Sequence, residues 1–170
     1  LQQGFKYIAR LDADDLCINN RFARQLQYLQ SHPDVGLAGS WLRFIDESSG
    51  EVLRLYQPPE AHDEIMKQLP FNSCILHPTW FARADAMRDI QPYSTEFPAA
   101  EDYEFLMRLV QRWRVANVPE FLVDARDTRG GVSRRRRHRQ LLDRLGVQAQ
   151  FFNVLNWRCY AGMIKTLLLL

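Results

Sequence analysis

Three carboxylates in four residues, Asp12, Asp14 and Asp15, follow directly on the apolar run Tyr7-Ile8-Ala9 and Leu11. Like charges this close repel, and burying any of them is costly. A cation, an arginine or water must compensate. A lone Asp here would read as a turn former. Three at the carboxyl end of an apolar strand point further, because open α/β sheets bind ligands there. An Asp-x-Asp pair can share one hard divalent cation. Mg²⁺ typically takes one or two protein carboxylates and leaves its other positions to phosphate and water. An EF-hand is excluded: the sixth position counted from Asp12 is Cys17 rather than Gly, and the twelfth is Ala23 rather than Glu. Asp15 has a second reading, as a structural partner of Arg21.

A second acidic pair, Glu101-Asp102, opens AAEDYEFLMRLVQRW (99–113). As a helix, this stretch puts Asp102, Leu106, Leu109, Val110 and Trp113 on one face. Asp102 then points inward at the helix start. The plain reading is a favourable interaction with the helix dipole. Beside the first acidic cluster, the sharper reading is a carboxylate base next to a metal site. His77, before Pro78, is a lone loop histidine. The structural reading is the commoner one, although its titration range suits a site. The run Arg134-Arg135-Arg136-Arg137-His138-Arg139 reads as a solvated helix face, with anionic phospholipid and nucleic acid as sharper alternatives. It contains no aromatic residue for stacking on a single strand, so nucleic acid is not expected.

The elements that must position these groups follow from periodicity and punctuation. A strand is predicted over 6–12. Asn19 and Asn20 are N-cap types, and Phe22, Leu26 and Leu29 recur at helical spacing until His32-Pro33-Asp34. Residues 36–46 and 51–56 read as a hairpin around ESSG. Pro58-Pro59 ends it, and a short helix follows over 61–69. Residues 74–83 read as loop then strand, 84–89 as a helical turn, 91–100 as loop, 101–113 as helix and 115–126 as strand. RGGVS (129–133) is a flexible turn, and a long amphipathic helix is predicted from Ser133. The stretch FFNVLNWRCYAGMIKTLLLL is apolar, but Asn153, Asn156, Arg158 and Lys165 interrupt it. A span needs ~20 mostly apolar residues, so this reads as a helix lying on the domain, with a membrane surface as the alternative. Interleaved strands and helices make the class α/β.

The bulk numbers fit that reading. The chain has 170 residues, 46% hydrophobic and 25% charged, enough for one domain with a real core. Its net charge of +2 names no partner, although the acidic residues gather in the first two thirds. Cys17, Cys74 and Cys159 fit neither a disulfide framework nor zinc spacing, and point to a reducing compartment. No signal peptide opens the sequence. LQQGFKYIARLD reads instead as the middle of a longer chain.

Taken in order, YIARLDADD, NNRFARQLQYLQSHPDVGLAGSWLRFID, LHPTWFAR and AAEDYEFLMRL resemble the family-2 glycosyltransferases of the GT-A fold, over residues 5 to about 133. The resemblance implies a GT-A-like (Rossmann-like) mixed sheet flanked by helices, N-terminally truncated. Residues 1–132 would form the C-terminal portion of that domain, and 133–170 a basic, then apolar, helical tail. It implies Mg²⁺ or Mn²⁺ as cofactor, with Asp14 as direct ligand and Asp12 toward the metal, ribose and diphosphate. It makes Asp102 the general base and puts Glu101 and His77 on the acceptor side. Arg126 and Arg129 would bind diphosphate, as guanidinium groups do; here Arg129 stands where members often carry a His. The unit that holds the donor's base is missing. The Gln-x-x-Arg-Trp signature of processive synthases is absent, which implies transfer of a single sugar. The implied reaction is inverting, metal-dependent transfer from a UDP- or dTDP-sugar to a hydroxyl of a glycan or lipid-linked acceptor. The expected location is the cytoplasm, with the basic run and the apolar tail as the grounds for peripheral attachment to an anionic membrane surface at the inner face of the cell membrane. Two other readings stand beside this one: an inactive or truncated binding module, and a metal-dependent nucleotidyl transferase releasing pyrophosphate.

Overall fold

The computed structural model describes residues 4–90, 93–127 and 137–170. In chain order these are β1 (Tyr7–Ala9), β2 (Leu16–Cys17), α1 (Arg21–Ser31), β3 (Val35–Asp46), β4 (Val52–Tyr56), α2 (His62–Gln68), a 3₁₀ turn (His77–Thr79), β5 (Phe81–Arg83), α3 (Ala84–Ile90), α4 (Glu101–Leu109), β6 (Arg114–Asp127), α5 (Arg137–Gln150) and α6 (Trp157–Leu169). The strands form one sheet in the order β1-β5-β3-β6-β2, with β4 beside the outer half of β3. β3 and β6 run parallel along nearly their whole length, and every other pairing is antiparallel, so the sheet is mixed.

The central pair is covered on both faces. Val35 to Ser40 are buried without a break, as expected of a strand with helices above and below. Leu37 and Val115 face a core shared with Ile65 of α2, Trp80, Ile90 of α3, and Leu106 and Leu109 of α4. Their neighbours Ala38 and Ala116 face the other way, onto Leu29 of α1, Phe81, Val118 and Leu122. Period-two alternation thus sorts one strand pair between two cores. Each fully buried Leu or Ile there contributes about 1.5–3 kcal/mol. Gly39 permits the layers to close: a Cβ would sit 2.3 Å from Asn117 Oδ1 and 2.5 Å from Ile75 Cγ2.

The structure corrects the sequence reading at several elements. β1 stops at Ala9 rather than running to residue 12: the Arg10 amide still donates in register to the Trp80 carbonyl (2.9 Å), but the Trp80 amide turns to the His77 carbonyl (3.2 Å), so the ladder ends there. It is also half-buried and lies at the sheet's end. α1 buries Arg21, Gln25 and Leu29, while Phe22 of the predicted apolar face is 49% exposed. Asn19 and Asn20 both take left-handed φ (51° and 53°), and Asn20 makes no side-chain cap. That entry turns the polar pair inward. α4 ends at Leu109, and its buried side includes Glu104, held by Arg108 in a two-point ion pair (2.7 and 2.8 Å).

α5 packs against the loop before α4. Val147 joins the main core, and Asp143 Oδ2 accepts from the Ala99 amide (2.9 Å). The predicted helix start at Ser133, the RGGVS turn and Arg134 to Arg136 lie outside the described residues. α6 begins where Asn156 Oδ1 accepts from the Arg158 amide (3.1 Å). The core-packing expectation for α6 holds along a narrow seam only: its buried residues are Cys159, Gly162 and Thr166. Gly162 rests on the Pro70 carbonyl, whose oxygen would lie 2.0 Å from a Cβ. Among the described residues, no helix is long and apolar enough to cross a membrane.

Candidate functional site

The acidic segment leaves β1 as a tight turn, closed by a hydrogen bond from the Asp15 amide to the Asp12 carbonyl (3.1 Å). Its start is fixed by Arg21, which is almost wholly buried. The Arg21 guanidinium donates to the Arg10 carbonyl (2.6 Å), the Trp80 carbonyl (3.2 Å), Gln25 Oε1 (2.9 Å) and Cys17 Sγ (3.7 Å). Gln25 in turn donates to the carbonyls of Ala38, Gly39 and Thr79. One face of α1 therefore acts as a polar strut between the acidic turn, the central strand and the His77–Thr79 turn.

The far end of the acidic turn is fixed to β6. β2 pairs Leu16 with Asp124 and Cys17 with Val123. Asp15 Oδ1 accepts from the Arg126 amide (3.2 Å). Asp124 is anchored by Arg43, whose Nε and Nη2 reach its two oxygens at 2.6 and 2.7 Å. Asp15 is buried, which pushes its carboxyl up to about 6. The Arg126 amide opposes that shift, the charges of Asp14 and Asp12 add to it, and Arg21 opposes it weakly. Asp15 is thus the structural member of the trio. Its hydrogen-bond partner is the Arg126 backbone rather than the Arg21 side chain. The Arg126 side chain is exposed beside this turn, and Arg129 lies outside the described residues.

Asp12 and Asp14 are the two members of the trio that stay open to solvent. Asp12 meets Arg10 Nε at 3.4 Å. Asp14 is exposed and, among the described residues, makes no hydrogen bond or ion pair. Among those residues, no group of three or more His, Cys, Asp or Glu side chains could hold a metal ion. Two carboxylates on one exposed turn suit the protein's share of a Mg²⁺ or Mn²⁺ shell completed by phosphate and water, not a closed cage.

The second acidic group approaches from α4. Asp102 is half-buried, with Oδ1 accepting from the Tyr103 amide (2.8 Å), and Glu101 is exposed. His77, opening the 3₁₀ turn, is half-buried; its Nε2 lies 3.0 Å from Tyr93 Oη. Its ring meets Trp80 edge-on at 4.7 Å, and Trp80 and Tyr93 both pack on Phe105 of α4. Burial pulls the imidazole pKa down, Asp102 raises it, Arg10 lowers it, and Asp12 and Glu101 raise it. The tyrosine hydroxyl is pushed up by burial and feels Arg10, Asp102 and Glu101. His77 and Tyr93 therefore sit where the field of the first turn overlaps that of the α4 start. Sequence reasoning missed Arg10 and Tyr93, and it gave Arg21 a partner, Asp15, other than the groups it reaches. Arg10 was detectable as the cation two residues before Asp12. The Trp80 carbonyl that Arg21 meets is distant in sequence, and the Tyr93–His77 contact has no local spacing to reveal it.

No family model matches the chain. Similar curated proteins include "O-antigen biosynthesis glycosyltransferase WbnJ" of Escherichia coli, 32% identical over 127 residues, covering 72% of this chain and 48% of that protein. They also include "UDP-Gal:alpha-D-GlcNAc-diphosphoundecaprenol beta-1,3-galactosyltransferase" of Escherichia coli, 26% identical over 159 residues, covering 92% and 56%. The chain spans about half the length of these curated relatives. In three dimensions it resembles residues 1–349 of TarS from S. aureus, with a TM-score of 0.55 and 16% identity, over 97% of this chain and 48% of that one. That likeness concerns the fold alone.

Proposed function

We propose that the chain belongs to the glycosyltransferases of the family-2 type, as its similarity to curated glycosyltransferases supports, and that its protein moves a single sugar from a UDP- or dTDP-sugar to a hydroxyl of a glycan or lipid-linked acceptor, with inversion at the anomeric carbon. The observation that best supports this reading is that two acidic groups, Asp12 of the first turn and Glu101-Asp102, both act on the half-buried His77, which meets Tyr93 Oη at 3.0 Å.

Asp14, with Asp12 beside it, would hold Mg²⁺ or Mn²⁺ together with the donor's diphosphate. When bound, such a cation offsets negative charge on the leaving diphosphate. Arg10 limits the charge that Asp12 adds to the turn, and Arg126, whose amide meets Asp15, would offer its exposed side chain to a phosphate oxygen. Asp102 is the general base for the acceptor hydroxyl. One of its oxygens is engaged by the Tyr103 amide, and the other, without a hydrogen-bond partner among the described residues, would take the proton. His77 and Tyr93 form the acceptor-side wall, with Glu101 at the rim.

The test uses the full-length protein and a panel of UDP- and dTDP-sugars with Mn²⁺. Asp102→Asn is expected to keep donor affinity and lose transfer, because the residue acts on the acceptor alone. Transfer within a few-fold of the unmodified enzyme would end the assignment of the base. Release of pyrophosphate from a nucleoside triphosphate, with no sugar transfer, would move the protein to nucleotidyl transfer.

A further inference from the structure

α6 carries the wrong side chains for a helix that faces water. Its buried seam is Cys159, Gly162 and Thr166. At 3.6 residues per turn, Trp157, Tyr160, Ile164, Leu167 and Leu168 fall on the opposite side, and all five are exposed, Leu168 by 83%. Val154 and Leu155, in the loop before the helix, extend the patch. A surface helix normally presents polar residues there, and a contiguous apolar patch marks a contact surface.

The charge of this region indicates which contact. Up to residue 127 the sequence has 13 Lys and Arg against 19 Asp and Glu; from residue 128 it has nine against one. That one acid, Asp143, is already engaged by Arg139 (2.8 Å) and the Ala99 amide (2.9 Å). On α6, Arg158 lies over the exposed Trp157 ring (4.9 Å), and Lys165 lies near Phe71 (6.0 Å), both on the flank between seam and apolar face. Arg137, at the described start of α5, is exposed as well.

We infer that α6 lies in the interface of an anionic phospholipid bilayer, its apolar face at the acyl boundary and Arg158 and Lys165 toward the lipid phosphates. Tryptophan and tyrosine suit that depth, with an apolar ring and a polar edge. A helix lying in this plane needs basic flanks and an apolar face, not the length of a span. The inference stands on α6 and its charge, whether or not the sugar-transfer reading holds.

The test is co-sedimentation of the full-length protein with vesicles of phosphatidylcholine, with and without phosphatidylglycerol. The unmodified protein is expected to bind the phosphatidylglycerol vesicles, less so as salt rises. Ile164→Glu with Leu168→Glu, both at exposed positions, should lower the partition about tenfold or more without changing the melting temperature. If that variant misfolds, Arg158→Gln with Lys165→Gln should remove the preference for anionic over neutral vesicles. No binding to anionic vesicles would overturn the inference. So would undiminished binding by folded variants of both kinds, self-association through the patch without vesicle binding, or retention of an oligonucleotide in place of lipid.

Discussion

Arg21 illustrates how much of the candidate site depends on a residue buried beneath it. Its guanidinium is buried against two carbonyls, one amide oxygen and one thiol. Removing it leaves the Arg10 carbonyl without that donor at the point where the chain turns toward Asp12. A buried group left unsatisfied costs about 1–3 kcal/mol, so Arg21→Met should destabilise the protein by at least ~2 kcal/mol in denaturant unfolding. Arg21→Lys should not restore it, since one ammonium cannot reach partners spread along a planar fork. A melt unchanged by Arg21→Met would show that the strut carries no load. Asp14 tests the opposite property, function without stability. It is exposed, so Asp14→Ala should leave the melt alone and weaken Mn²⁺-dependent UDP binding by the full-length protein. Calorimetric titration of both proteins with UDP and Mn²⁺ decides this; equal affinities would count against Asp14 as a ligand.

At the scale of elements, legibility in the sequence followed the kind of force involved. The hairpin of β3 and β4 was readable because two strand-like runs flank ESSG, whose Gly50 takes the positive φ (72°) of the turn. Its turn also carries a local charge device. Asp46 accepts from the Ser48 hydroxyl and the Ser48 and Ser49 amides, and these hold its carboxyl down to about 2, the hydroxyl contributing most. A depressed folded-state pKa gives stability that is present above the ordinary Asp range and is lost as pH falls through about 2. Ser48→Ala should therefore move the Asp46 midpoint upward in a carboxyl chemical-shift titration. An unmoved midpoint would remove the hydroxyl as cause. The buried face of α1 was not legible, because Phe22 and Leu26 made a better apolar stripe than Arg21 and Gln25. Hydrogen bonds to distant carbonyls at Ala38, Gly39 and Thr79 decided it, and these exist only after the sheet has formed. The acidic residues themselves were legible as chemistry from type and spacing. What joins them, His77 with Tyr93 and Arg10, required the fold. α6 shows the same division: its apolar character was plain, but the seam depends on Gly162 meeting the Pro70 carbonyl. Gly162→Ala, with a Cβ 2.0 Å from that oxygen, should push the helix away and cost about 1–3 kcal/mol in thermal unfolding. A variant as stable as the parent would mean that α6 is not held at this crossing.

At the scale of the molecule, the two ends of the sheet set a limit on what these 170 residues do alone. Among the described residues, β1 pairs with β5 and β2 with β6, so each outer strand keeps one side of its backbone unpaired. Phe5, Leu16 and Phe22 are exposed near these strands. An open edge beside apolar side chains is a template for pairing with another chain. The acidic turn runs from the end of β1 to the start of β2, so on the proposed reading the donor binds in the same region. Two carboxylates on one turn bind a divalent ion weakly without a diphosphate to complete the shell. The relatives run to about twice the matched length. The 170-residue stretch, produced by itself, is therefore expected to self-associate in sedimentation velocity, and to bind a UDP-sugar at least ~100-fold more weakly than the full-length protein, about 2.7 kcal/mol. The two readouts separate edge from site. A monodisperse stretch that still fails to bind would place the deficit in the donor's missing contacts rather than in aggregation. A monomer that released UDP at the full-length rate would show that the described residues already contain the whole donor site, and that the acidic turn does not depend on contacts beyond them.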